Sequence, residues 1–328
     1  MKINSIDAMR GVLAFFVVAI HLSPICCSND YASTFVNSIA RIAVPLFFAI
    51  SGLLNYKTIN KLKFPAYLSK SLKSVAIPYI SVTVLGFASL YIFAIAYGGI
   101  TFIGFRFPLS KPETVDFFLG TSGYPGLFHL WFLRNLFISM IIFYFIRINA
   151  GLFITGALFL ASVILWGYST FADKQIALLV EAISSFSAGY YLRRAIEIAP
   201  IKIKTSVIWI AIISSLELIM FYTGLQSFYR SFCVIFLMLF CLAFHLIYDR
   251  FGYRINTLLK IASTYSLPIY LFHLPFMMIT SLLLKPSAPH GLFAIMVAAS
   301  IIFSLTLSFS ILLERLFPSA YRVFTGKI

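Results

Sequence analysis

The sequence predicts an all-α fold: a polytopic integral membrane bundle of about ten transmembrane helices. It forms one domain over residues 1–328, with both termini cytoplasmic. Three observations carry that prediction. Hydrophobic residues are 61% of the chain and charged residues 11%, with a mean hydropathy of +0.98; a soluble domain has roughly a quarter of its residues charged. The apolar residues come in long runs and not in alternation, which favours helices over a barrel. The lysines and arginines collect in alternate connections, as they do on the cytoplasmic side of membrane proteins. Those connections account for the formal net charge of +15, so no nucleic-acid partner is expected.

Ten segments approach the length that crosses about 30 Å of hydrocarbon. The first, 4–24, opens Asn-Ser-Ile-Asp-Ala-Met-Arg-Gly, runs apolar, and reaches Ile-His-Leu. The others cover 35–55, 75–97, 128–147, 151–168, 177–193, 204–223, 231–248, 263–284 and 291–314. The 56–74 loop carries Lys57, Lys61, Lys63, Lys70 and Lys73; the 193–204 loop carries Arg193, Arg194, Lys202 and Lys204. The 249–260 loop carries Arg250, Arg254 and Lys260, and the tail carries Arg315, Arg322 and Lys327. With ten spans these all fall on one side, and the opposite loops are poor in cations. The long external connection at 98–127 is rich in Gly and Pro, which predicts irregular backbone with a short surface helix around 112–119. Cys26, Cys27, Cys233 and Cys241 show no metal-ligand spacing and read as small packing residues. No cleavable signal peptide is evident, because the first apolar run contains Arg10 and lacks a cleavage motif.

The first span holds three ionisable residues, Asp7, Arg10 and His21. Such groups are costly at membrane depth and point to function. Asp7 and Arg10 are three apart and can pair on the helix surface. Arg10 and His21 are eleven apart, about three turns, so they share a face with roughly 16 Å between them. Other polar groups can meet this face. His129 opens the fourth span in Phe-His-Leu-Trp-Phe-Leu-Arg, with Arg134 about one and a half turns deeper. His273 lies in the ninth span, Ser51-Gly52 in the second, and Glu314 ends the tenth. Each also has a structural account. Asp7–Arg10 can be a pair that holds the helix, and His21 can be a wet interfacial residue. His129 with Trp131 can be an interfacial anchor. His273 can bond a carbonyl freed by Pro268. Ser51-Gly52 can serve close helix packing. Glu217 and His245, in the seventh and eighth spans, have no recognisable context.

The opening Ser-Ile-Asp-Ala-Met-Arg-Gly-Val-Leu-Ala-Phe-Phe-Val-Val-Ala-Ile-His resembles the start of the membrane-bound acyltransferase-3 family, whose hallmark is Arg or Lys, ten residues, then His. Arg10 and His21 match it. The run Phe47 to Leu54 resembles that family's second-helix signature, Leu130-Trp131-Phe132-Leu133 its central motif, and Tyr265 to Pro275 its late-helix motif. Glu314-Arg315 is similar to its terminal Glu followed by a basic residue. The resemblance covers the whole chain in order. The Arg-rich stretch leading into the third span is here Lys70 and Lys73, which keeps charge but loses the bidentate fork.

The resemblance implies a stand-alone bacterial O-acetyltransferase of the inner (plasma) membrane, without a fused esterase-like domain. It implies no permanently bound cofactor. The donor would be acetyl-CoA or another short acyl-CoA, and the acceptor a hydroxyl of a cell-surface glycan or lipid-linked saccharide. In that frame His21, Arg10 and Asp7 are catalytic, and Ser51, Lys70, Lys73, His129, Trp131, Arg134, His273 and Glu314 bind donor or acceptor. Arg10 would bind the donor or stabilise an oxyanion, Asp7 would orient it, and His21 would act as general base or acyl carrier. The 16 Å or so along the helix requires either a pantetheine arm reaching up the bundle or an outward acyl relay. A second reading is a transporter of a glycan or lipid-linked intermediate without acyl chemistry; the repeated halves common in transporters are not visible here.

Overall fold

A computed structural model describes residues 4–26, 40, 43–102, 105–107, 109–121, 124–147, 153, 157, 174–198, 256–283 and 292–328. The elements are α1 (Asn4–Cys26), α2 (Ala43–Lys61), α3 (Phe64–Ser71), a π turn (Leu72–Ala76), α4 (Ile77–Ala96), β1 (Ile100–Phe102) and β2 (Phe105–Phe107). They continue with α5 (Lys111–Leu119), a 3₁₀ turn (Phe128–Leu130), α6 (Trp131–Ile146), α7 (Lys174–Ile198), α8 (Asn256–Thr264), α9 (Ser266–Leu283), α10 (Leu292–Leu316) and α11 (Pro318–Thr325). The expected spans at 151–168, 204–223 and 231–248 lie outside the described residues or nearly so, as do Cys27, Cys233, Cys241, Glu217 and His245.

Among the described residues, three helices are long and apolar enough to cross a membrane: Phe64–Ala96, Phe128–Ile146 and Leu292–Leu316. At about 1.5 Å per residue, the 25 residues of α10 exceed the roughly 30 Å of a bilayer core. α4 and α10 turn Ile80, Val84, Ile92, Phe93, Phe293, Ile301 and Leu305 outward, an apolar surface that suits lipid and not water. The fold is that of an all-α membrane protein, with one small exception given below.

α1 stands at the centre. It packs against α2, α8, α9 and α10. Its Ile6, Met9, Leu13 and Val17 enter one core cluster with α2, α6 and α7, while Ala14, Val18, Ala19 and Leu22 enter a second with α9 and α10. Small residues let it approach α8: a Cβ at Gly11 would lie 2.8 Å from the Ala262 Cβ. The α2–α7 crossing is closer still. A Cβ on Gly52 would fall 1.9 Å from the Phe186 carbonyl oxygen, and one on Gly189 would fall 1.8 Å from that of Ala49. Reciprocal glycines of this kind let two helical backbones touch in a membrane.

Two connections differ from expectation. The 56–74 region is helical on both sides of a short break at Leu62-Lys63, because Lys63 turns extended (ψ 155°) and Pro65 starts α3 in its first turn. The 98–127 connection contains the expected helix, as α5, but also a hairpin that pairs Ile100 with Phe107, Thr101 with Arg106 and Phe102 with Phe105. Its β-branched and aromatic residues favour strand over irregular backbone. α5 starts with a Ser110–Glu113 capping box and ends on Gly120 at φ 61°. The connection is sealed onto the bundle: the Tyr79 hydroxyl donates to the Phe118 carbonyl, and Gly126 packs so closely on Phe117 that a Cβ would strike its ring.

Candidate active site

α1 reaches two polar sites at different heights. Near its Asn4 end, Arg10 Nη1 lies 3.9 Å from Asp7 Oδ1, with both side chains about a third exposed, at 30% and 34%. Arg10 also lines a cavity of about 190 Å³. α2 supplies Ser51 and Asn55, the π turn supplies Ser74 and Val75, α6 supplies Phe132, Leu136 and Met140, and α9 supplies Ser266 and Tyr270. The π turn widens the helix by one residue where it borders this space, a distortion that recurs at functional sites. Ser51 and Asn55 are held in line by their own helix: the Ser51 hydroxyl donates to the Phe47 carbonyl at 2.7 Å, and Asn55 Nδ2 donates to the Ser51 carbonyl at 2.9 Å.

Farther along α1, His21 meets two histidines from other elements. Its ring stacks on His273 at 5.2 Å between centroids with planes 19° apart. His129 stands edge-on to His273 at 5.3 Å and 79°. His129 and His273 are fully buried, at 2% and 0% exposure. Phe128 closes the far side, 5.1 Å from the His21 ring. His129 and His273, two of the polar groups expected to be able to meet the α1 face, thus form one cluster with His21.

Backbone carbonyls fix two of the rings. His273 Nδ1–H donates to the Tyr270 carbonyl at 2.8 Å, and His129 Nε2–H donates to the Leu271 carbonyl at 3.3 Å. A carbonyl only accepts, so each neutral ring carries its lone pair on the other nitrogen. Those atoms, His273 Nε2 and His129 Nδ1, are buried and have no hydrogen-bond partner among the described residues. The Leu271 carbonyl is free for a reason: residue 275, four positions on, is Pro inside α9 and has no N–H to give. The carbonyl released in this helix is therefore the one opposite Pro275, and it is taken by His129. His273 bonds the Tyr270 carbonyl instead of one freed by Pro268.

Tyr270 joins the two sites. Its side chain lines the Arg10 cavity, its ring lies 5.9 Å from His129 and 6.2 Å from His273, and its hydroxyl donates to the His129 carbonyl. In the sequence Tyr270 stands within the Tyr265 to Pro275 motif and is not among the expected site residues. Its signal was the helical spacing to His273, three residues on, which puts both on one side of α9.

The remaining predicted residues sit elsewhere. Trp131, half-buried, packs on Phe48 and Tyr124 beside the cavity wall. Arg134 binds the 98–127 connection and its surroundings: it donates to the Leu119 and Gly120 carbonyls at 2.8 and 2.9 Å, to Gln175 Oε1 at 2.7 Å and to Asn135 Oδ1 at 3.2 Å. Lys70 is exposed and donates to Thr58 Oγ1 at 2.9 Å, and Lys73 is exposed on the π turn. Glu314 accepts the Tyr265 hydroxyl at 2.5 Å, near Tyr321 of α11. Glu181 and Arg193 of α7 are buried, at 4% and 6% exposure; Arg193, expected as a cation of the 193–204 loop, lies inside the helix, which runs on to Ile198, and Glu181 had no expected role. The rule that flagged Asp7, an ionisable group within a span, would have flagged Glu181. Among the described residues no group of three or more His, Cys, Asp or Glu could hold a metal ion.

Neither a search of curated proteins nor a search of solved structures returned a match. A scan against protein-family models matches residues 3–313 to the family described as "Acyltransferase domain". That match takes in α1 through nearly all of α10, and with it both polar sites. The chain belongs to the membrane-bound acyltransferase-3 family.

Proposed function

We propose that this protein transfers an acyl group, acetyl in the simplest case, from cytoplasmic acyl-CoA to a hydroxyl of a cell-surface glycan or lipid-linked saccharide at the bacterial inner membrane. One observation carries the reading: a cavity with Arg10 in its wall adjoins a buried histidine cluster, and Tyr270 borders both. The cavity suits the donor arm. It is mostly apolar, with Arg10, Ser51, Asn55, Ser74, Ser266 and Tyr270 as its polar points. Lys70 and Lys73, exposed beside the π turn, suit the anionic nucleotide end of CoA. Arg10 then stabilises charge that develops on the thioester oxygen, and Asp7 orients Arg10. His21 serves as general base or acyl carrier toward the acceptor. Arg10 and His21 lie about 16 Å apart along α1, and Tyr270, in the wall of the Arg10 cavity, also packs near His129 and His273.

The test uses purified protein in nanodiscs with radiolabelled acetyl-CoA, wild type beside His21→Ala, with and without a glycan-lipid extract. CoA release that requires His21 is the expected outcome, with transient label on the protein if acyl is relayed. Full turnover by His21→Ala at normal protein levels removes His21 from the mechanism.

A further inference from the structure

We infer that His273 Nε2 is the atom that takes the proton of the acceptor hydroxyl. The inference rests on the acyltransfer reading and assigns a second histidine its own step within it.

Four observations converge on this nitrogen. His273 is the middle ring of the cluster, in contact with His21, His129 and Tyr270. Its tautomer is set by the shorter of the two carbonyl bonds, 2.8 Å against 3.3 Å for His129, so the lone pair lies on Nε2. That lone pair is fully buried and unpartnered among the described residues. Buried polar atoms without partners are uncommon, and in native structures they call for an explanation such as a catalytic role or a missing ligand. The ligand that completes a bare imine nitrogen is a hydrogen-bond donor, and an acceptor saccharide supplies O–H groups. Finally, the carbonyl that locks His273 belongs to Tyr270, whose side chain lines the Arg10 cavity. The base is thereby one helical turn from the wall of the donor site.

The step balances. As the acceptor oxygen bonds to the acyl carbon, its proton passes to His273 Nε2, while Nδ1–H stays on the Tyr270 carbonyl. The C–S bond of the thioester breaks, and its electron pair leaves on the CoA sulfur, which takes the proton. The products are the O-acyl ester and CoA thiol, and the imidazole returns neutral. In this scheme His21, stacked on the same ring, is left to position the acyl group, and His129 holds the α9 carbonyl that Pro275 exposes.

Two variants test it in the full-length protein. His273→Phe keeps an aromatic ring in the stack and removes both nitrogens. Acceptor-dependent transfer should fall roughly 10²- to 10⁴-fold, the usual worth of a general base, with acetyl-CoA binding and melting temperature unchanged. His273→Ala should regain turnover with added imidazoles, more so as their basicity rises, and little with pyrazole, which has a similar shape but is a far weaker base. Wild-type turnover in His273→Phe, or equal rescue by pyrazole and imidazole, overturns the proposal and leaves His273 a packing residue. A wild-type protein that releases no CoA with any acyl-CoA or acceptor overturns the acyltransfer reading itself, and this step with it.

Discussion

Arg10 is paired loosely. At 3.9 Å, with both partners about a third exposed, the contact with Asp7 contributes at most about 1 kcal/mol to stability. Its guanidinium is therefore available to the cavity it lines. Arg10→Ala should lower kcat/KM for acyl-CoA by roughly 10²- to 10³-fold, the worth of one oxyanion donor. Arg10→Lys should lose less, since charge survives while the fork does not. Melting temperature should not move in either variant. Unchanged steady-state kinetics in Arg10→Ala would exclude Arg10 from the donor site. A second residue-scale effect is pH-dependent and lies outside the membrane. Glu113 accepts the Ser110 hydroxyl at 2.5 Å and the Ser110 backbone N–H at 2.8 Å, and these bonds, the side-chain one foremost, lower its pKa. A carboxylate whose folded pKa is depressed stabilises the fold above its unfolded value, near 4.3 for Glu, and that contribution is lost as pH falls through the folded value. Protection of the α5 amides from hydrogen exchange, relative to the intrinsic rate at each pH, should therefore fall as pH drops below about 4.3 in wild type, and should already be reduced at neutral pH in Glu113→Ala. Equal exchange in the two at neutral pH would deny the capping box a role.

Helix pairing is where the sequence was least legible. Ser51-Gly52 stood out in its own span, but its partner Gly189 lies far along the chain, and no local period links them. For the histidines the sequence named the candidates but not their mutual contacts: α1, the 3₁₀ turn and α9 each contribute one, and only the tertiary packing selects these from the other polar residues expected near α1. What the sequence did show was anything written in a single helix, such as the length of α6 and α10, the Arg10–His21 face and the helix inside the 98–127 connection. The α2–α7 contact yields a direct test. Gly52→Ala or Gly189→Ala sets a methyl against a carbonyl oxygen at under 2 Å, so the helices must separate. Such overpacking costs about 1–3 kcal/mol, and each variant should melt several degrees lower in detergent. An unchanged melting temperature would mean that the two helices do not cross at these glycines. α9 yields the opposite sign. Pro275→Ala restores an N–H to the Leu271 carbonyl and removes a residue that costs a helix interior about 3 kcal/mol. It should raise the melting temperature, yet it displaces His129 from that carbonyl and should slow transfer. If stability and turnover rise together, the Pro275–His129 arrangement serves no function.

At the scale of the whole molecule, the bundle holds two polar sites that share one residue. The cavity runs along the half of α1 that holds Arg10, and the cluster surrounds the half that holds His21; Tyr270 borders both. Composition and loop charge made the membrane bundle legible from the sequence, because both are sums over many residues and survive any error at one position. The separation of Arg10 from His21 along α1 was legible too; the walls of the two sites were not, since they depend on α2, the π turn, α6 and α9 closing around α1. If the division is functional, substitutions on either side of Tyr270 should separate in two-substrate kinetics. Met140→Trp adds bulk to the cavity lining away from the histidines, and should raise KM for acyl-CoA while leaving KM for the acceptor near wild type. Phe128→Ala removes the ring packed 5.1 Å from His21 and should do the reverse. The double variant should show both defects at about the sum of their free energies, because side chains that share no partners are energetically independent. A rise in the same KM for both single variants would mean that donor and acceptor occupy one space. The acyl group would then have no distance to travel, and His21 could act only as a base beside Arg10's substrate, not as a carrier between two sites.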